Sequence, residues 1–145
     1  MITLANVRDL FKEFETQFDI IAKHYYIGKL DNKQDYSIGV YPLRRNNPVI
    51  ALGEFSKYDI KSVSVLIHWN KNADDTEIVA YDLYQKLQKL NNFKYRNFSI
   101  KNNETKDLLI HFIKMRVAEP VDVGTDNSGV YERVIEMDIY YRKDD

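Results

Sequence analysis

GTDNSG (124–129) is the segment of this 145-residue chain that first suggests chemistry. Its G-x-x-x-x-G spacing is part of a phosphate-binding loop, in which backbone N–H groups cradle the phosphates and a following Lys and Ser/Thr reach phosphate and Mg²⁺. Those two residues are missing here. A strand-like run follows, so no helix N-terminus faces an anion. The glycines are expected to supply positive φ at turns. Asp122, Asp126 and Glu132 raise the question of Ca²⁺, but the D-x-[DN]-x-[DN]-G register and flanking helices are absent. Asp126 and Asn127 are instead expected to close Asx-type turns. The histidines are His24, His68 and His111. His68 and His111 fall in different strands and are candidates to be neighbours, yet no spacing implies a third ligand. No G-x-S-x-G elbow, H-E-x-x-H or paired catalytic carboxylates can be picked out. No catalytic residue, metal site or cofactor is expected, and the chain does not read as an enzyme.

A second chemistry is nucleic-acid contact. KLQKLNNFKYRNFSIK (86–101) interleaves Lys94 and Arg96 with Phe93, Tyr95 and Phe98, and Arg44 and Arg45 form a basic pair in an earlier loop. Basic groups beside aromatics can track and stack a strand. Strand alternation would place Phe93 and Tyr95 on one face and Lys94 and Arg96 on the other, as an ordinary solvated strand also does.

The elements that position these groups follow from periodicity. Residues 3 to about 18 place Leu4, Val7, Phe11, Phe14 and Phe18 on one helical stripe, with Thr3 as N-cap. HYYIG (24–28) is either a short strand or the end of that helix, LDNKQD (30–35) a polar turn, and YSIGVY (36–41) a strand that Pro42 ends or edges. RRNNP (44–48) has loop chemistry, and VIALGEF (49–55) is a short apolar piece bent at Gly53. Residues 59–70 read as a long strand with Val63, Val65, Ile67 and Trp69 on its apolar face. The next helix starts in NKNADDTE, with acidic groups where the helix dipole favours them, buries Val79, Ala80, Leu83, Tyr84, Leu87 and Leu90, and stops at Asn91–Asn92. Residues 93–101 and 107–118 are further strands. After the loop EPVDVGTDNSG (119–129), too long for a tight hairpin, a final strand puts Arg133, Ile135, Met137, Ile139 and Tyr141 on one face. The order is not a regular strand–helix alternation. It predicts α+β: one mainly antiparallel, mixed sheet with two helices on one face, in a single domain spanning 1–145.

Composition narrows the function classes. Lys plus Arg (21) and Asp plus Glu (22) nearly cancel, which removes a strongly basic nucleic-acid binder. The chain has no cysteine, hence no disulfide framework or thiolate site. The N-terminus lacks the basic and apolar regions of a secretory signal, and no apolar run reaches the roughly 18 residues of a membrane span. Eleven tyrosines suit either a Tyr-rich sheet or a protein interface.

Several stretches taken in order carry a resemblance. VSVLIHWNKNADDTEIVAYDLYQKL (63–87) resembles the strand-to-helix core of the minor capsid, or tail-terminator, proteins of long-tailed (siphovirus-type) phages and Gram-positive prophages. EPVDVGTDNSGVYERVIEMDIYYRK (119–143) resembles their C-terminal P-x-x-x-G-x-D-x-x-G segment, and IGVYP (38–42) and IALGE (50–54) also fit. Residues 1–35 match only in being a helix followed by an extended piece. The resemblance implies an α+β, tail-terminator-like domain that forms a homo-hexameric ring on the last ring of the tail tube. Such a ring stops polymerisation and joins the tail to the head. Its partners would be copies of itself, the major tail tube protein and a head-completion or connector protein, with DNA only passing through the lumen and no membrane. Its place would be the virion, and the host cytoplasm during assembly. Another head–tail connector or minor capsid protein, or a small nucleic-acid-binding module, remains the alternative. Long loops free of catalytic demands suit partner contact. The candidate interaction residues are Pro120, Gly124, Asp126, Gly129 and Glu132.

Overall fold

The computed structural model describes residues 2–15, 22–28, 34–44, 58–99 and 104–142, with their side chains except at 15 and 95–108. Expectations for the end of the first helix, the polar turn, the Gly53 bend and the turn near residue 101 fall wholly or mainly outside them.

Helix α1 (Leu4–Glu15) begins at Thr3, whose Oγ1 accepts from Asn6 N at 3.2 Å while Asn6 Oδ1 accepts from Thr3 N at 2.9 Å. This reciprocal cap satisfies backbone donors that the first turn leaves open. Val7, Leu10, Phe11 and Phe14 are its buried stripe. Strand β1 (His24–Ile27) settles the ambiguity at HYYIG, because it pairs in parallel with β2 (Ser37–Pro42). Strand β3 (Tyr58–His68) leads into helix α2 (Ala73–Lys89). Asn72 caps α2, accepting from Asp74 N at 3.0 Å and Asp75 N at 3.2 Å. Replacing Asn72 with alanine is expected to cost about 1 kcal/mol in denaturant unfolding, with no change in slope.

Leu90 closes the helix, and β4 (Asn91–Ser99) starts at once. The two asparagines therefore stop the helix from inside the next strand, with Asn92 at φ 51° making the change of direction. Strand β5 (Glu104–Met115) follows, then β6 (Val121–Thr125) and β7 (Tyr131–Arg142). Among the described residues seven strands form one sheet in the order β1-β2-β3-β7-β5-β4, with β6 pairing β7 outside that path. All the pairs except β1–β2 are antiparallel.

Paired residues share a face, so the register sorts the side chains. Ile38, Val40, Val63, Val65, Ile67, Ile135, Met137 and Ile139 all point to one side and join the buried stripes of α1 and α2 in one core. Both helices thus lie on one face, as the sequence predicts. The opposite face carries Ser62, Ser64, Glu136, Asp138 and Tyr140. On it Arg116 Nε donates to Asp138 Oδ1 at 2.9 Å, Nη2 to Ser62 Oγ at 3.1 Å and Nη1 to the Arg44 carbonyl at 3.3 Å. Tyr58, Tyr140 and Phe112 stack in a row beside this network, and with His111 they line a groove of about 320 Å³. No helix among the described residues is long and apolar enough to cross a membrane.

Candidate interaction loop and its histidine anchor

Strands β5 and β6 lie on the same side of β7, one after the other. Met115 opposes Met137, Arg116 N still donates to Glu136 O at 2.9 Å, and then the chain bends through 116–119. It resumes at buried Pro120 and pairs Val121 with Val134. Half of what reads as a loop is therefore strand. That strand is hidden in the sequence because it is five residues long, exposed throughout and out of phase. The register shifts between Asp122 and Gly124, where Asp122 Oδ1 accepts from Gly124 N at 2.8 Å and Gly124 takes φ 87°. A bulge of this kind erases the period of two that marks a strand.

Beyond β6 the chain turns around Asp126. Its Oδ1 accepts from Ser128 N at 2.9 Å and Val130 N at 3.0 Å, and its carbonyl accepts from Gly129 N at 3.1 Å. Gly129 sits at φ 84°, which a side chain rarely adopts. The turn chemistry expected of Asp126 and of both glycines is present.

Below the turn lies His68, 1% exposed. Its Nδ1 is 3.0 Å from Glu132 Oε2, and its Nε2 is 3.6 Å from Asp126 Oδ2. One Asp126 oxygen thus shapes the turn while the other faces the imidazole. Two backbone bonds complete the attachment, Tyr131 N to Asn70 O at 2.8 Å and Trp69 N to Tyr131 O at 3.2 Å. The histidine is an anchor that joins β3, β7 and the loop. Sequence reading misses it by weighing His68 against His111. Those two lie on strands separated by β7, with His111 beside Phe112 in the aromatic groove. His24 is elsewhere again, stacked on Tyr26. Two acids flanking a histidine on an adjoining strand are the signal that could have found it. Among the described residues no group of three His, Asp or Glu is placed to hold a metal.

The near end of the loop is held by α2. Tyr84 Oη donates to the Val117 carbonyl at 2.7 Å. Burial, and then the neighbouring Tyr81, push the Tyr84 phenol above its ordinary value near 10. The folded protein favours the neutral phenol more than the unfolded chain does. Its contribution is therefore complete below pH 10 and is lost as pH rises beyond that. Tyr84→Phe is expected to cost about 1 kcal/mol at neutral pH, and the gap to the parent should narrow in unfolding curves taken above pH 10.

Pro120, Gly124, Asp126, Gly129 and Glu132 thus converge on one loop. Pro120 and Glu132 are buried, and Asp126 turns its carboxylate inward, so the face offered outward is β6 with Asn127 and Ser128. Of the basic candidates, Arg44 and Lys94 lie apart. Arg44 follows β2, whereas exposed Lys94 lies on β4, the last strand on the opposite side of the sheet. Phe93 packs edge-on against Phe14 at 5.7 Å, on the helix side, which agrees with the alternation expected of that strand. The Arg96 side chain and Arg45 lie outside the described residues.

Arg133 crosses between α2 and β6, 4.0 Å from Glu77 and 3.9 Å from Asp122. Both carboxylates are well exposed, so these pairs contribute little to stability. Of the large hydrophobics exposed among the described residues, Ile78, Tyr81, Val121 and Val123 lie on α2 and β6.

The sequence model for bacteriophage tail terminator proteins matches residues 9–142. A search of curated proteins finds no match.

Proposed function

The chain belongs to the bacteriophage tail terminator family, and from that premise we propose that it assembles as a ring on the end of the tail tube, stops tube growth and presents a surface to the head. The family is structural rather than enzymatic, and it places the protein among virion components. The observation that carries the proposal is the extent of the family match, which runs from within α1 to the last residue of β7. Two further features support it. The loop through β6 is firmly anchored from beneath yet turns an exposed strand outward, which suits a docking edge more than a mobile connection. The formal net charge of −1 avoids a strong counterion-release grip on DNA passing through the ring. The partners in this proposal are other copies of the chain, the major tail tube protein and a head-completion or connector protein. No catalytic role is assigned.

Electron microscopy of the purified protein mixed with its major tail protein tests the proposal. The expected result is tubes that stop growing and carry a ring at one end. Tubes that continue to lengthen in a molar excess of the protein, with bare ends, would overturn it.

A further inference from the structure

His68 stands on a rung of the sheet that runs His24, Ser37, His68, Glu132, Gly124. It is 1% exposed, and its two ring nitrogens have different surroundings. Nδ1 lies 3.0 Å from Glu132 Oε2, within hydrogen-bond distance. An ionised carboxylate only accepts, so this nitrogen carries a hydrogen. Nε2 is buried and completes no hydrogen bond among the described residues. It lies 3.6 Å from Asp126 Oδ2. That spacing is too long for a hydrogen bond and too short for a water in line between the two atoms.

A neutral imidazole with its hydrogen on Nδ1 has a lone pair on Nε2. A carboxylate facing that lone pair sets two acceptors against each other. A second proton on the ring reverses this. Nε2 then donates to Asp126 Oδ2, and one cation lies between two anions. A closing movement of about 1 Å makes the charge-assisted bond. Asp126 is also the residue around which the turn folds, since its other oxygen accepts from Ser128 N and Val130 N. The ring proton and the shape of the loop thus meet in one side chain. Among the described residues, the charged groups that contact the ring are Glu132 on β7 and Asp126 in the loop. On β2 its partner is Ser37, whose hydroxyl donates to the Gln34 carbonyl. His24 stands beyond Ser37 on β1, stacked on Tyr26. On β6 the same rung ends at Gly124, and Asp122 lies near Arg133, which also reaches Glu77 on α2. Asp75, in the first turn of α2, accepts from Asn70 Nδ2.

We infer that a proton on His68 Nε2 fastens the loop through Asp126, and that its loss loosens the turn. The fastened state holds one proton more than the loosened one, so acid favours it and rising pH releases it. Both carboxylates must stay ionised, which sets the acid limit of the device. The inference concerns the free chain and stands whether or not the ring proposed above forms.

Nitrogen NMR and amide hydrogen exchange of the free protein test this between about pH 6 and pH 8, where histidine side chains change charge. The imidazole nitrogen shifts of His68 report which ring nitrogens carry hydrogen. The expected result is two hydrogens at the acid end and loss of the one on Nε2 toward the alkaline end. Protection of the Ser128 and Val130 amides, corrected for intrinsic exchange, should fall at least about tenfold over the same span, as loss of one charge-assisted hydrogen bond implies. The ladder amides of β3 and β7 should hold steady. Asp126→Asn gives a second reading with the opposite sign. Its amide keeps an oxygen for Ser128 and Val130 and offers Nδ2 to the lone pair of a neutral ring. Its turn should stay protected at the alkaline end and loosen toward the acid end. A ring that bears a single hydrogen throughout, or turn amides equally protected at both ends, would overturn the inference. So would an Asp126→Asn protein whose turn loosens with rising pH as the parent's does.

Discussion

Alanine in place of His68 is expected to lower the unfolding free energy by about 3 kcal/mol, read as a fall in urea midpoint at constant slope. The ring is fully enclosed, and its removal both opens a void and takes away the group that two carboxylates approach. The void accounts for about 2 kcal/mol, and the Glu132 carboxylate left without its imidazole partner for about 1 kcal/mol more. Glu132→Gln should cost less, about 1 kcal/mol, since an amide oxygen can still accept from Nδ1. The two losses should not add in the double variant, because both act through the same contact. A cost below about 1 kcal/mol for His68→Ala would show that the backbone bonds alone hold the loop.

Valine in place of Gly129 should separate folding from function. A Cβ there meets nothing within 4 Å, so the penalty is backbone strain rather than collision. Holding a residue at φ 84° costs roughly 1–2 kcal/mol, and more for a β-branched side chain. The turn around Asp126 should then open or shift while the sheet beneath stays folded. The thermal midpoint is expected to fall by about 4–8 °C. Complementation of a phage lacking this protein should fall at least tenfold, with tails left unjoined. Asn92→Val is the matched control, since Asn92 has φ 51° at the start of β4, on a different strand from the loop. It should show comparable strain and normal particles. Normal particles from Gly129→Val would remove the loop from the docking surface.

Residues whose burial repeats at a fixed step are legible in the sequence alone. The long strand ending at His68, the helix capped by Asn72 and the last strand, with Ile135, Met137 and Ile139 inward, all carry a period that packing on one side enforces. Short or interrupted elements are not legible in this way. VDVGT has no buried residue to mark it, and the bulge shifts its phase. HYYI is a strand only because β2 lies beside it, in parallel, and no local signal encodes a parallel neighbour. At the candidate loop the turn residues are readable from composition. The anchoring is not, because it joins His68 to a residue 64 positions away.

That separation has a kinetic consequence. The strand in the middle of the sheet, β7, follows every other described element along the chain, and its partner β3 lies in the first half of the sequence. Asp59 and Tyr141, which bond across this pair, are 82 positions apart. Closing so long a segment is entropically uphill before any contact repays it, and sheets dominated by such pairings fold in milliseconds to seconds. Until β7 emerges, β3 and β5 both present open edges toward the gap it will fill. The sheet is thus expected to close only once β7 has left the exit tunnel. A nascent chain stalled before β7 should be protease-sensitive throughout, while one extended by a linker long enough to clear the exit tunnel should be resistant.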